Sequence, residues 1–222
     1  MLLQLIRHPQ PLVDKSTCYG RSDIAVAPEM LAQSVAQLLP QLQAVPPDWP
    51  LVTSPLQRCA KLAQSLAQAM HRPAPNVDPR LQEMDFGAWE LRLWDDIPWA
   101  EVEAWNADLA HYAPGGGETL TEVASRMWQA FSDLLAASAD GVIVICHAGT
   151  IRMLHACAAW RAGQGASASP EAADFRDIAL RATAHRSAGL AAVTGEHYEG
   201  GHWLGSFAVY LVTRRGIAVP KN

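Results

Sequence analysis

A chain of 222 residues, half of them hydrophobic, is long enough to bury a core without disulfides or metals and fits one domain. Its net charge of −5, with no Lys/Arg run longer than Arg214-Arg215, argues against nucleic acid as a partner. No apolar run approaches the ~20 residues of a membrane span, and the start MLLQLIRH becomes charged too soon for a secretory signal. Cys18, Cys59, Cys146 and Cys157 are scattered without a C-x-x-C pair, which predicts reduced thiols in a cytoplasmic α/β protein.

In chain order, Leu2, Leu3, Leu5 and Ile6 make a short apolar run that stops at the turn Pro9-Gln10-Pro11. This pattern reads as a buried strand with Arg7 and His8 at its carboxyl end, where ligands sit in open α/β sheets. Taken alone, the pair reads more simply as polar residues where a strand meets water. Leu12 to Ala27 is a polar loop, and Pro28 to Leu39 carries apolar residues at helical spacing. Four prolines between Pro40 and Pro50 are expected to break that helix.

Leu51-Val52-Thr53 reads as a short strand, with Ser54 as N-cap and Pro55 opening a helix through Leu56, Cys59, Leu62, Leu66 and Met70. Arg58 then lies in a first helical turn, where the macrodipole opposes a cation. Either an anionic ligand or a nearby Asp would compensate it. After a possible short strand at Asn76-Val77 comes Arg80 to Glu90, which mixes acids with Phe86 and Trp89. Carboxylates held against aromatic rings have the raised pKa that suits a general acid, though an exposed acidic loop with an aromatic anchor reads as well.

Leu91 to Tyr112 is expected to be cap-like, and Pro114-Gly115-Gly116-Gly117 a loop before an amphipathic helix opened by Glu118-Thr119. The glycines match no nucleotide fingerprint, since no strand precedes them and no Gly-Lys-Ser/Thr follows. Gly141 to Cys146 is the clearest strand, ending at His147-Ala148-Gly149-Thr150 before another helix. It repeats the geometry of the opening segment, and a matched pair of edge histidines is harder to read as structural. Ala162 to Pro170 is expected to be a mobile connection, Phe175 to Ala184 a helix, and Ser206 to Thr213 a last strand. His197 and His202, with Glu196 and Glu199, are a weak metal pattern.

Arg7, His8, Arg58, Glu83 and His147 are thus expected on one edge of the sheet. Two guanidiniums, two imidazoles and a carboxylate suit phosphoryl transfer without a metal or cofactor. His8 would attack phosphorus, His147 would bind a phosphate oxygen, and Glu83 would serve as acid and then base.

Ile6-Arg7-His8, Ser54-Pro55-Leu56-Gln57-Arg58, the run Leu81 to Glu90, and Cys146-His147-Ala148-Gly149-Thr150-Ile151-Arg152 together resemble the histidine phosphatase (phosphoglycerate mutase-like) superfamily. The match keeps the family's order and covers Met1 to about Trp160. It implies a single α/β domain: a three-layer α/β/α sandwich with a mostly parallel central sheet, a cap-like insertion at about 88–117 and a divergent part at about 161–222. It also implies a phosphohistidine mechanism, with His8 as nucleophile, Arg7, Arg58 and His147 on the phosphate, and Glu83 on the proton. Cys18 to Asp23, Trp94-Asp95-Asp96-Ile97-Pro98 and Pro114 to Thr119 look most like the α-ribazole phosphatase branch, which acts in cobalamin biosynthesis.

Three departures stand out: Pro9 where many relatives carry Gly, Leu91 where the family has Trp-Glu-Gly, and the Gly/His-rich stretch 185–205. The expected partner is a small phosphomonoester, with Arg21, Ser22, Arg92 and Ala148 as candidate substrate-binding residues. The rivals are a phosphoglycerate mutase, a phosphatase of sugar phosphates or phosphohistidine, and an inactive relative that binds a ligand or partner. Lys and Arg are sparse between Gly87 and Gly117, which favours hydrolysis over mutase chemistry. The oligomeric state is open, a homodimer included.

Overall fold

Alternating side chains sort the two central strands onto opposite faces of one sheet. Leu3, Leu5, Val142, Val144 and Cys146 join one buried cluster, whereas Ile6, Ile143 and Ile145 join another. A computed structural model of the chain describes residues 2–137, 140–165, 167–184, 209–213 and 216–217. The first half holds β1 (Leu2–Arg7), α1 (Pro28–Leu42), β2 (Leu51–Thr53), α2 (Gln57–Ala69), β3 (Asn76–Val77) and α3 (Trp99–Ala107). The second holds α4 (Leu120–Ala137), β4 (Gly141–Cys146), α5 (Ala148–Gln164), α6 (Ala172–Ala184), β5 (Val209–Thr213) and β6 (Gly216–Ile217).

The strand order is β3-β2-β4-β1-β5-β6. β1, β2, β3 and β4 run parallel, while β5 pairs antiparallel to β1 and β6 antiparallel to β5. Helices α4, α5 and α6 bury their apolar faces on one side of the sheet, and α1 and α2 cover the other. This is a three-layer α/β/α sandwich with a mostly parallel sheet. The register Arg7↔Cys146 places His8 and His147 side by side just beyond the carboxyl ends of neighbouring strands. Two residues 139 positions apart therefore meet, as their strand settings predicted.

Local details differ from the sequence reading. Helix α1 continues through Pro40 to Leu42. Burial of Leu38 and Leu42 under the sheet offsets the lost hydrogen bond, so the helix ends three residues later than expected. Helix α2 starts at Gln57 with Leu56 as its N-cap, so Ser54 is not the cap. The connection expected at Ala162 begins after Gln164 instead, because α5 runs on to that residue. Thr119 opens α4 through reciprocal bonds with Glu122: the Glu122 amide donates to Thr119 Oγ1 (3.1 Å) and the Thr119 amide to Glu122 Oε2 (2.8 Å). His185, His197 and His202 lie outside the described residues. No helix among those described is long and apolar enough to cross a membrane.

Candidate active site

The carboxyl edge of the sheet opens into a pocket of about 210 Å³. Arg7, His8, Arg58, Glu83 and Ala148 line it together with Trp94. Lys15, Thr17 and Tyr19, from the loop after β1, complete the wall.

His8 is buried, and its Nδ1 lies 2.7 Å from the carbonyl oxygen of Pro9. A carbonyl only accepts, so Nδ1 carries the hydrogen and the Nε2 lone pair is left available. Burial, then the charges of Arg58 and Arg7, hold the His8 pKa down at about 3, so the ring is neutral at physiological pH. Pro9 thus contributes an acceptor that fixes the tautomer, although it has no amide hydrogen to offer.

Arg58 is fully buried in the first turn of α2. Its Nη1 donates to the Ser22 carbonyl at 2.6 Å, its Nη2 to the Gly20 carbonyl, and its guanidinium lies 5.5 Å from the centre of the Tyr19 ring. No carboxylate forms a salt bridge with it among the described residues. Asp23 meets the helix end instead, accepting from the Gln57 amide at 2.6 Å. The Asp compensates the helix dipole, and the guanidinium keeps its charge for the pocket.

His147 reaches the site at one remove. It is completely buried, and Arg58 Nε donates to its Nδ1 at 3.2 Å. Its Nε2 lies 2.8 Å from Ser54 Oγ. Because a guanidinium only donates, Nδ1 accepts and Nε2 carries the hydrogen. Burial, followed by the charges around His8 and Arg58, holds the His147 pKa well below its ordinary value. Both nitrogens are spent inside the protein, so the expected donation from His147 to a phosphate oxygen is not the arrangement seen. The ring instead orients Arg58 and packs edge-on against His8, with centroids 5.0 Å apart.

Glu83 faces the pocket with its carboxylate anchored by amides: Gly149 N–H donates to Oε2 at 2.9 Å and Met84 N–H to Oε1 at 3.2 Å. The aromatic residues expected to desolvate it turn elsewhere, and Phe86 and Trp89 pair edge-to-face with Trp94 and Trp105. The carboxylate lies close against Gly149: a Cβ on that residue would lie 2.3 Å from Glu83 Oε1, so any side chain there would displace the carboxylate. Arg126 holds the loop from behind, donating to the carbonyls of Arg80 and Gln82 and pairing with Glu118 at 2.8 Å.

The substrate-binding candidates Arg21, Ser22 and Arg92 are not part of the pocket wall. Arg21 pairs with Asp85 at 3.3 Å, Ser22 donates its hydroxyl to Glu90, and Arg92 donates to the Asp96 carbonyl. Of the substrate-binding candidates, Ala148 alone lines the pocket. Sequence reasoning missed Lys15, Thr17, Tyr19, Ser54 and Glu90. Glu90 ties two loops together by accepting from the amides of Gly20, Arg21, Ser22 and Phe86. Although burial pushes its pKa up, the hydrogen bonds from the Ser22 hydroxyl and those amides hold it below the usual carboxylate value. Among the described residues, no group of three or more His, Cys, Asp and Glu side chains could hold a metal ion. All four cysteines are buried free thiols, and burial pushes each of them up.

The family model of the histidine phosphatase superfamily (branch 1) matches residues 3–188. The chain belongs to that superfamily. It is 37% identical over 90 residues to a probable phosphoglycerate mutase GpmB of Proteus mirabilis, covering 39% of this chain and 41% of that protein. The match thus spans about two fifths of that relative's length. An adenosylcobalamin/alpha-ribazole phosphatase of Salmonella typhimurium is 27% identical over 159 residues, covering 69% of this chain and 77% of that protein. Among solved structures, a mycobacterial glucosyl-3-phosphoglycerate phosphatase superposes with a TM-score of 0.62 at 27% identity, covering 79% of this chain and 83% of that one. The alpha-ribazole phosphatase of Shigella flexneri gives a TM-score of 0.63 at 24% identity over 71% and 79% of the two chains, a likeness of fold.

Proposed function

We propose that this member of the superfamily is a metal-independent phosphomonoesterase that works through a phosphohistidine on His8. The observation that carries the reading is a neutral His8, its Nδ1 hydrogen fixed on Pro9, in one pocket with Arg7, Arg58 and Glu83. The guanidiniums take the non-transferring phosphate oxygens and neutralise charge that a metal would otherwise meet. His8 Nε2 forms the N–P bond as the P–O bond to the alcohol breaks, and the Glu83 carboxyl protonates the leaving oxygen. The Pro9 carbonyl then faces a positively charged phosphoimidazole, which it stabilises. Glu83, now a carboxylate, takes a proton from water as that water attacks phosphorus. The N–P bond breaks, its electron pair returns to Nε2, and orthophosphate leaves.

The substrate is a small phosphorylated metabolite. α-Ribazole 5′-phosphate is the candidate from the relatives named for α-ribazole, with phosphoglycerate mutase chemistry as the alternative from those named for that activity. A mutase must hold a second anionic group, and the cap's Arg92 is turned to Asp96 rather than to the pocket. Hydrolysis is therefore the better reading.

The deciding measurement is phosphate release in EDTA from p-nitrophenyl phosphate, α-ribazole 5′-phosphate and 3-phosphoglycerate. Wild type is expected to release phosphate, and His8→Ala to lose at least ~10³-fold, the scale on which a lost nucleophile acts. Activity that EDTA abolishes, or that survives His8→Ala, would sink the mechanism. A folded wild type inert on every ester would leave the inactive ligand-binding relative as the reading.

A further inference from the structure

Beside the phosphate pocket lies a second groove of about 530 Å³, lined by Trp94, Asp95, Asp96, Pro98, Trp99 and Val102. Trp94 lines both, so the two spaces adjoin at that residue. Trp94 is 38% exposed and Trp99 68%, whereas Trp49, Trp89, Trp128 and Trp160 are all buried. Trp94 is nevertheless held firmly. Its amide donates to the Ser16 carbonyl at 2.8 Å, and its ring meets Phe86 and Trp89 edge-on at 6.1 and 6.5 Å. A rigid indole with an open surface at the mouth of a site is a stacking platform.

Charge divides the two spaces. Arg7, Arg58 and Lys15 line the phosphate pocket, while the groove is lined by two carboxylates and by no lysine or arginine. An alcohol bearing its own carboxylate or phosphate would meet like charge there. A flat ring with an apolar face would stack on indole, and one that also carries nitrogen-bound hydrogens at its edge, as adenine does, would donate to Asp95 or Asp96. The groove has the volume of a small-ligand site.

Resting on the phosphomonoesterase reading above, we infer that Trp94, Asp95, Asp96 and Trp99 form the leaving-group subsite. It selects phosphomonoesters whose alcohol is a sugar carrying a flat heteroaromatic base, and it discriminates against alcohols with a second anionic group.

The test is a matched set of esters: α-ribazole 5′-phosphate and AMP, each against ribose 5-phosphate, which has the sugar but no base. 3-Phosphoglycerate and phosphocholine supply an anionic and a cationic alcohol, and p-nitrophenyl phosphate reports the chemistry alone. At least one base-bearing ester is expected to exceed ribose 5-phosphate in kcat/KM by about 10- to 100-fold, the range that stacking on an aromatic side chain gives. Which of the two wins identifies the base. Trp99→Ala and Trp94→Leu should each shrink that ratio to about threefold or less. A wild-type ratio near one, a ratio that neither substitution changes, or a preference for 3-phosphoglycerate or phosphocholine would overturn the subsite. In all those cases, p-nitrophenyl phosphate turnover that requires His8 leaves the phosphatase reading standing. No turnover of any ester overturns both.

Discussion

In the proposed mechanism His8 must stay neutral to attack phosphorus, which its burial favours, and that burial has a consequence for stability. The His8 pKa is about 3 in the folded protein against an ordinary value of 6.5, so the unfolded chain binds the extra proton between those limits. Stability therefore falls as pH drops from 6.5 towards 3, by up to about 1.4 kcal/mol per pH unit for this residue. His147, lowered by the same cause, acts in the same direction. His8→Asn is expected to narrow the difference between urea midpoints at pH 7 and pH 5, and an unchanged difference would show that His8 titrates normally. Gly149 supplies a second test at single-residue scale. Alanine there would press its methyl group into the Glu83 carboxylate, and the flexible carboxylate would yield before the backbone does. Gly149→Ala is expected to lower kcat about 10- to 100-fold with a smaller change in KM and an intact circular dichroism spectrum. Unaltered kcat would remove Glu83 from the proton-transfer role.

The elements that carry the site are two loops laced together. The Cys18 amide donates to the Arg92 carbonyl at 2.7 Å, the Leu91 amide to the Cys18 carbonyl at 2.8 Å, and Thr17 bridges Leu93. This short antiparallel lacing sets Thr17, Tyr19 and Trp94 on the pocket wall. Leu91 sits in it at φ +64°, a left-handed conformation that a leucine adopts at a cost of about 1–2 kcal/mol. The residue is 60% exposed, so little burial compensates. Leu91→Gly, which restores the residue the superfamily pattern has there, is expected to raise Tm by about 1–4 °C without altering the ester preference. A lower Tm would mean that the exposed leucine makes a contact worth more than the strain. The sequence exposed this position only as a departure from a pattern. Why the departure matters depends on a backbone angle, and no composition or spacing encodes that. Glu90 was hidden for a related reason, since its partners at Gly20, Arg21 and Ser22 lie some 70 residues away.

At the scale of the whole molecule, the apolar runs Leu2–Ile6 and Gly141–Cys146 were legible because strands buried on both faces need little besides Val, Ile and Leu. Their polar termini were legible for the same reason, since a run that stops at Arg-His or at His marks the sheet edge. The role of His147 was not, because its partners Arg58 and Ser54 come from the β2–α2 junction, and the tautomer follows from them alone. The same edge gathers Arg7, Lys15 and Arg58 around one small pocket in a chain whose net charge is −5. Concentrating cations against an overall acidic background leaves the fold with an anion-shaped deficit, and orthophosphate is both the product of the proposed reaction and the simplest anion to fill it. At a hundredfold excess over its Kd, a ligand that binds only the folded state adds about 2.7 kcal/mol, or roughly 5–10 °C in Tm for a chain of this size. Thermal denaturation in increasing orthophosphate should show that rise, while equal ionic strength supplied as sodium chloride should not. Lys15→Ala should need more orthophosphate for the same rise, and the difference should shrink at high salt because Lys15 is exposed and screened. If orthophosphate raised Tm no more than chloride did, these cations would not form an anion site, and the proposed chemistry would lose its electrostatic basis.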